Sequence, residues 1–556
     1  MDITGAQLIT RFLEQRGTPF VAGIPGGAVL PLYRALADSS LRHVLARNEQ
    51  GAAFIAQGYA RVAGRAGVCI ATSGPGVTNT VTALADAKAD SVPLVCLAGQ
   101  VPRALRNTDA FQEVPTGFIV DRITKAHFEV NAAAELIDLL PEAFRIAESG
   151  RPGPVLLDLP KDVQTERVHL HELPLASSAT ALQTPCSNAL DRAAGMIRAA
   201  QRPLFYFGGG VRLARASSDA RRLVDDTGVP AVTSLMALGV LPPAHPLNLG
   251  MLGMHGAPYA NHAVEACDLL IAVGARFDDR ATGKLTGFAR DAQVIHIDAD
   301  PRELGKLRRP DLAVHADAGA ALRALGALLV KQDRSAWQAQ VAGLRRAHPA
   351  PAASGDDLSC PPILIRQLSR LAGPHRIVTT DVGQHQMWVA QHYPLTAAEN
   401  WLTSGGLGTM GFGIPAAIGA ALACPAAGAL CITGDGSLLM NVQELATLAD
   451  TEADVKIVVF DNGGLGMVRQ QQSLFYQQHH TGSVYSRGTA ICALARAFGV
   501  PALDLEQATH PLATLRDVFV QPGPMLVRAP IQHAEMVLPM VAPGAANTEM
   551  ILEVTA

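Results

Sequence analysis

Short, continuous apolar runs separated by longer amphipathic segments recur along the whole chain. In the first third the runs are PFVAGIP (19–25), GVCIATS (67–73), PLVCLAG (93–99) and PVLLDLP (154–160). They do not alternate apolar with polar positions, so they predict strands buried on both faces, the pattern of a parallel sheet covered by helices. PLFYFGGG (203–210), DLLIAVGARF (268–277) and QVIHIDAD (293–300) repeat the pattern in the middle of the chain. RIVTTDVG (376–383), the runs 429–433 and 455–460, and PMLVRAP (524–530) repeat it again. ATALQTPCSNA (180–190) and AHPAPAASGDDLSCPP (347–362) carry no such pattern and read as linkers. The expected fold class is α/β, with three doubly wound parallel-sheet domains over residues 1–165, 190–330 and 363–545.

Length agrees, since 556 residues at about 150 per domain suggest three or four domains. Hydrophobic residues make up 49% and charged residues 17%, and the net charge is 45 − 49 = −4. No basic field points to a nucleic-acid partner. The eight cysteines are scattered without a CxxC, which argues against a disulfide framework or a zinc site and for a reduced compartment. MDITGAQLITRFLEQRG predicts an amphipathic helix rather than a signal peptide, and no apolar run reaches the roughly 18 residues of a membrane span. The expectation is a soluble cytoplasmic enzyme with no membrane partner.

The candidate chemistry lies in GDGSLLMNVQELATLADTEADVKIVVFDNGG (434–464). It predicts a strand, a turn, a helix of about three turns and a second strand. In a right-handed βαβ unit the two loops leave the same carboxyl edge, where open α/β sheets bind ligands. Asp435 and Asn462 should therefore meet. One anionic and one neutral hard oxygen suit Mg²⁺, which usually shares a phosphate. Gly464 adds a backbone carbonyl as a third ligand, Gly436 lets backbone approach the phosphate, and Ser437 offers a hydroxyl near a helix N-terminus.

GDG, then 24 residues, then DN, each after an apolar strand, resembles the thiamine-diphosphate enzymes. RNEQGAA (47–53), ahead of the Gly-Pro-Gly loop of ATSGPGVTN (71–79), looks like the pyrimidine-binding domain of that family. The resemblance makes Glu49 the carboxyl that hydrogen-bonds the aminopyrimidine and promotes the tautomer that deprotonates the thiazolium. It also implies at least a homodimer, because in the family this glutamate and the diphosphate anchor come from different chains. Gly406-x-Gly408-x-x-Gly411 in WLTSGGLGTMGFGIPAAIGAALA is a weak dinucleotide signal, since no acidic residue follows about 20 positions later. In the family this stretch bends the cofactor. Met410 matches the wedge and Gly408 the carbonyl that holds the 4′-amino group, while Gln384 and His385 of DVGQHQMW match a loop near the diphosphate.

The resemblance narrows to the acetohydroxyacid (acetolactate) synthase catalytic subunits, from GIPGGAVLPLY (23–33) to VLPMVAPGAANTEMI (537–551). GGG (208–210), GMLGMHG (250–256), GARFDDR (274–280), HIDADPRELGK (296–306) and HADA (315–318) look like that branch's FAD-binding domain. The residues so implied are Arg151, Gly209, Gly210, Met254, His255, Asp298 and Asp317. Phe111, Gln112 and Lys161 would line the reaction pocket, and Arg276 would grip the carboxylate of the second 2-keto acid. Three positions depart from the pattern. Gln471 stands where a tryptophan is usual, Asn48 where a histidine is common, and Gly463-Gly464 where larger residues are found. The implied activity is carboligation of 2-keto acids with thiamine diphosphate, Mg²⁺ and FAD, in a homodimer or homotetramer and with a small regulatory subunit as a possible partner. A related carboligase or decarboxylase with another acceptor is the alternative that Gln471 supports.

Overall fold

The structure, a computed structural model, describes residues 1–175, 183–351 and 354–553. Residues 180–182 and 352–353 of the two expected linkers lie outside it; the described parts run into helices Ser187–Ala199 and Pro361–Ala372.

Three six-stranded sheets, each parallel throughout, form the core. The first runs Arg42–Leu45, Phe20–Gly23, Gly67–Ala71, Leu94–Gln100, Pro154–Pro160 and Ala126–Glu129. The third runs Trp401–Leu402, Ile377–Thr380, Ala429–Gly434, Val455–Asp461, Met525–Pro530 and Ala502–Asp504. Taken in chain order, the two sheets are wound identically. The middle sheet is wound differently, as Asn248–Met251, Ala231–Thr233, Pro203–Phe207, Leu269–Val273, Gln293–Asp298 and Leu312–His315, so its chain starts on an inner strand and turns outward twice. In such sheets the loops at the carboxyl ends beside the reversal of strand order form the ligand crevice.

The continuous apolar runs are the inner strands. The strands that the pattern does not reveal are mostly at sheet edges: Arg42–Leu45, Ala126–Glu129, Asn248–Met251, Leu312–His315, Trp401–Leu402 and Ala502–Asp504. An edge strand is solvated on one side, so it carries Arg42, Glu129 and His315 without cost and loses the unbroken apolar signature. One expectation is corrected. The segment after Gly434 is not a single helix but two, Asp435–Leu438 and Glu444–Thr451. Asn441, between them, donates to the Gly411 carbonyl at 2.8 Å, and Glu444 accepts the N–H groups of Arg47 and Asn48, each at 3.0 Å. These tertiary bonds fix the break.

The N-terminal and C-terminal units share a core. Helix Glu49–Ala63 packs along helix Gly413–Ala423, and Ile55, Tyr59, Ile414, Ala417 and Ile418 belong to one apolar cluster. Two glycines set the spacing. A Cβ on Gly58 would lie 2.1 Å from the Ala416 carbonyl oxygen, and one on Gly419 would lie 1.9 Å from that of Ile55. The backbones therefore meet directly, with no side chain between them. The C-terminal segment returns to the middle unit, where Val541 N–H donates to Met254 and Asn547 Nδ2 to Ala281. No described helix is long and apolar enough to cross a membrane.

Candidate active site

The carboxyl ends of strands Ala429–Gly434 and Val455–Asp461 open on a pocket lined by Gln384, His385, Met410, Asp435, Gly436, Ser437, Asn462 and Gly464. The βαβ geometry thus brings Asp435 and Asn462 to one place. Asp435 Oδ2 accepts the Gly464 N–H at 3.0 Å, and burial beside Asp461 pushes its carboxyl up to about 7. Asn462 donates through Nδ2 to Gln384 Oε1 at 3.2 Å, while its Oδ1 is buried without a partner. Gln384 is itself fixed, donating to Gln470 Oε1 at 2.9 Å and the Glu535 carbonyl at 2.8 Å. A buried carboxylate with no cationic side chain beside it among the described residues and an orphaned amide oxygen form a donor set that fits a hard divalent cation.

The backbone around these two residues is crowded. A Cβ on Gly436 would meet the Tyr485 hydroxyl at 2.6 Å, and one on Gly464 would meet the Ser483 carbonyl at 2.2 Å. Gly464 gives its own carbonyl to Gly466 N–H at 3.2 Å. Ser437 Oγ donates to the Val382 carbonyl at 2.8 Å. Burial holds the His385 imidazole down to about 3, so it is neutral, and its Nε2 has no partner.

Asp381, within the DVGQHQMW stretch but not singled out there, organises the neighbouring loop. Its carboxylate accepts the N–H groups of Gly411 (2.7 Å), Gly413 (3.1 Å) and Val382 (3.1 Å) and the Thr433 hydroxyl (3.3 Å). Gly408 and Gly411 are left-handed, at φ +71° and +91°, so the chain folds tightly around Met410.

A cleft of about 1420 Å³ adjoins the pocket and shares Met410 with it. It exceeds the roughly 300–1,000 Å³ of a single small-molecule site. Arg151, Gly209, Gly210, Met254, His255, Arg276, Asp298, Asp317, Gly408 and Gln471 all line it, although they come from all three units. Backbone crosses backbone here too, for a Cβ on Gly208 would lie 2.1 Å from the Gly274 carbonyl oxygen. Asp298, pushed up to about 6 by burial, accepts the Asp300 N–H at 2.8 Å. Asp317 caps helix Ala318–Leu328 through Ala320 N–H at 2.9 Å. Arg151 donates to Ser91 Oγ at 2.8 Å and Glu303 at 2.7 Å. His255, held down to about 4 by burial, donates from Nδ1 to the Pro539 carbonyl at 2.9 Å. Arg276 donates to the Ala89 carbonyl at 3.0 Å. A second guanidinium of the same RFDDR stretch, Arg280, also lines the cleft, and its only carboxylate among the described residues is the adjacent Asp279 at 3.8 Å.

Glu49, Phe111, Gln112 and Lys161 line neither the pocket nor the cleft. Glu49 is 8% exposed and accepts Asn79 Nδ2 at 2.9 Å. Asn48 caps its helix through Gln50 N–H at 2.8 Å, which gives this departure from the family pattern a structural job. Gln112 sits at φ +62° against Gly74, and Lys161 begins the short helix Lys161–Thr165. Phe111 and Phe118 are 88% and 92% exposed.

Comparison with known proteins gives a consistent result. Residues 3–118 match the family described as thiamine pyrophosphate enzyme, N-terminal TPP binding domain. Residues 190–325 match its central domain, and residues 381–529 its C-terminal TPP binding domain. The chain is 50% identical over 555 residues to acetolactate synthase isozyme 1 large subunit of Escherichia coli (strain K12), covering 99% of this chain and 98% of that one. It is 46% identical over 549 residues to the isozyme 2 large subunit of the same organism, covering 99% of each. Acetolactate synthase 1, chloroplastic, of Nicotiana tabacum is 42% identical over 575 residues, covering 99% of this chain and 85% of that one.

Proposed function

This chain belongs to the acetolactate synthase large subunits, within the thiamine pyrophosphate enzymes, and from that premise we propose that it decarboxylates pyruvate and joins the two-carbon unit to a second 2-keto acid. The products are 2-acetolactate from pyruvate and 2-aceto-2-hydroxybutyrate from 2-ketobutyrate, in the biosynthesis of branched-chain amino acids. The observation that carries this reading is the uncompensated Asp435 carboxylate beside the orphaned Asn462 Oδ1 at the carboxyl edge of the C-terminal sheet.

In this reading Asp435, Asn462 and the Gly464 carbonyl hold Mg²⁺, and Gly436, Ser437, Gln384 and His385 face the diphosphate. Thiamine diphosphate, when bound, supplies the nucleophilic carbon and the electron sink for decarboxylation. Glu49 would hold a proton at the aminopyrimidine, the Gly408 carbonyl would orient its amino group, and Met410 would pack against the bound cofactor. The cleft, with Arg151, Gly209, Gly210, Met254, His255, Asp298 and Asp317 on its walls, takes FAD. Arg276 binds the carboxylate of the acceptor, with Arg280 as the second guanidinium at hand. Phe111, Gln112 and Lys161 exclude water and line the acceptor space from the N-terminal unit.

Glu49 and Phe111 lie away from the pocket of their own chain, which supports an active site shared between two copies. We read the enzyme as a cytoplasmic homodimer or homotetramer, and the relatives' designation as large subunits supports a small subunit, regulatory in this reading, as a further partner. Gln471 on the cleft wall supports a second reading, a related carboligase with a different preferred acceptor.

The test is acetolactate formation from pyruvate by the purified chain with thiamine diphosphate, Mg²⁺ and FAD. Glu49→Gln should lower kcat by about 10²–10⁴ with the cofactor still bound. Acetaldehyde or acetate as the product would refute the carboligase.

A further inference from the structure

A buried ionic cluster sits where the three units meet. Arg61 belongs to helix Glu49–Ala63, while Asp86 and Asp90 stand at the end of helix Pro75–Ala89. Arg61 donates to Asp90 at 2.9 Å, Asp86 at 3.3 Å and the Thr403 carbonyl at 3.1 Å. Asp90 also accepts the N–H groups of Gly405 (3.0 Å) and Gly406 (2.7 Å). Asp86 also accepts the hydroxyls of Ser404 and Thr409, the latter at 3.2 Å, and Ser404 Oγ takes the Thr409 N–H at 2.8 Å.

Three charges buried together are a poor source of net stability, because desolvation consumes much of the attraction. What the cluster does supply is shape. Its acceptors reach across from the N-terminal unit to one irregular loop, residues 404–409, and tie both of its ends. Gly408, at φ +71°, lies within it, Met410 follows directly, and Asp381 anchors the chain again at Gly411 and Gly413. The loop makes no sheet or helix bonds of its own to hold this course.

We propose that Asp86 and Asp90 are positioning residues that fix the 404–410 loop, and through it the Gly408 carbonyl and Met410, in the shape that seats thiamine diphosphate. The N-terminal unit thereby shapes the cofactor seat of its own chain, while its Glu49 serves the seat of another. The proposal rests on the reading of Gly408 and Met410 given above.

The test uses the full chain with Mg²⁺ and FAD at saturation. Thr409→Val removes one hydroxyl from Asp86, Thr409→Ser keeps it, and Asp86→Asn removes the charge. Thr409→Val and Asp86→Asn should lower kcat and weaken thiamine diphosphate binding by about tenfold each, with KM for pyruvate within about twofold of native. Thr409→Ser should restore both. The proposal is overturned if folded Thr409→Val and Asp86→Asn keep native kcat and cofactor affinity. It is equally overturned if kcat, KM and thermal midpoint fall together and Thr409→Ser fails to restore them. Should Asp86→Asn not fold, the two Thr409 variants decide. A native chain that binds no thiamine diphosphate overturns the site reading itself, a distinguishable result.

Discussion

The N-terminal and C-terminal sheets are wound identically, yet their carboxyl edges carry different chemistry. In the C-terminal unit the third strand of the sheet, Ala429–Gly434, ends in Asp435, buried in a pocket that the orphaned amide oxygen of Asn462 also lines. In the N-terminal unit the equivalent strand, Gly67–Ala71, ends in an uncharged Ser-Gly-Pro-Gly loop, and a buried acid, Glu49, opens the preceding helix instead. One edge gathers a buried carboxylate and an orphaned amide oxygen in a pocket. The other leaves two phenylalanines bare. Common winding supplies the crevice, and the residues at strand ends decide what it is for.

The comparison breaks most sharply if both halves of a site come from one chain. Glu49→Gln and Asp435→Ala should each be nearly inactive alone. Mixed in equal amounts under subunit exchange, they should recover about a quarter of native activity, since half of the dimers carry one intact site of two. No recovery would place each site within a single chain. Next in size is the seam between the units. Gly419→Ala drives a Cβ into the Ile55 carbonyl, where neither backbone can move cheaply, and should cost on the order of 3 kcal/mol. A lowered thermal midpoint that takes both units down together would confirm the shared core.

Two buried carboxylates then sharpen the contrast. Asp158 in the N-terminal sheet and Asp381 in the C-terminal sheet are each pushed up to about 6 by burial. Among the described residues Asp158 Oδ1 has no hydrogen-bond partner, and Oδ2 accepts Gln100 Nε2 at 3.2 Å. Its folded carboxyl holds a proton more tightly than the unfolded one, so its penalty grows as pH rises from about 4 and is complete above about 6. Asp158→Asn should therefore raise stability at pH 7 by about 2 kcal/mol, and the gain should vanish near pH 4. Asp381 receives four donors, three of them backbone N–H groups, which an amide nitrogen cannot accept. Asp381→Asn should lower stability by about 2 kcal/mol. Thermal midpoints at pH 4.5 and 7 check both signs. The smallest effect is on selectivity. Gln471→Trp adds an apolar face to the cleft and should raise the preference for 2-ketobutyrate over pyruvate by about tenfold, read by competition between the two acceptors.

The inner strands were legible because burial on both faces leaves no room for polar residues. Strands such as Arg42–Leu45 and Ala126–Glu129 were not, because one side of each has no strand to pair with. Asp435 and Asn462 could be paired from sequence because βαβ handedness alone brings their loops together. Asp381, Asp86 and Asp90 could not. Nothing local distinguishes them from ordinary strand-end or helix-end acids, and the loop partners of Asp86 and Asp90 are more than 300 positions away. The break between helices Asp435–Leu438 and Glu444–Thr451 was hidden for the same reason, since Asn441 and Glu444 are turned by tertiary partners that override a plausible helical pattern.

The contact of Gly58 with Ala416, and of Gly419 with Ile55, has a consequence for how such a protein can change over generations. Every missense mutation at either codon adds at least a Cβ, and the atom it would strike is main chain, which no substitution elsewhere can trim. Side chains on the cleft wall, such as Gln471 on helix Gly466–Phe475, face open space and can vary, but this seam offers no neutral neighbours to explore. Diversification of the catalyst is thereby confined to the rims of its sheets, while the joint between the first and last units stays a fixed point around which the rest can vary.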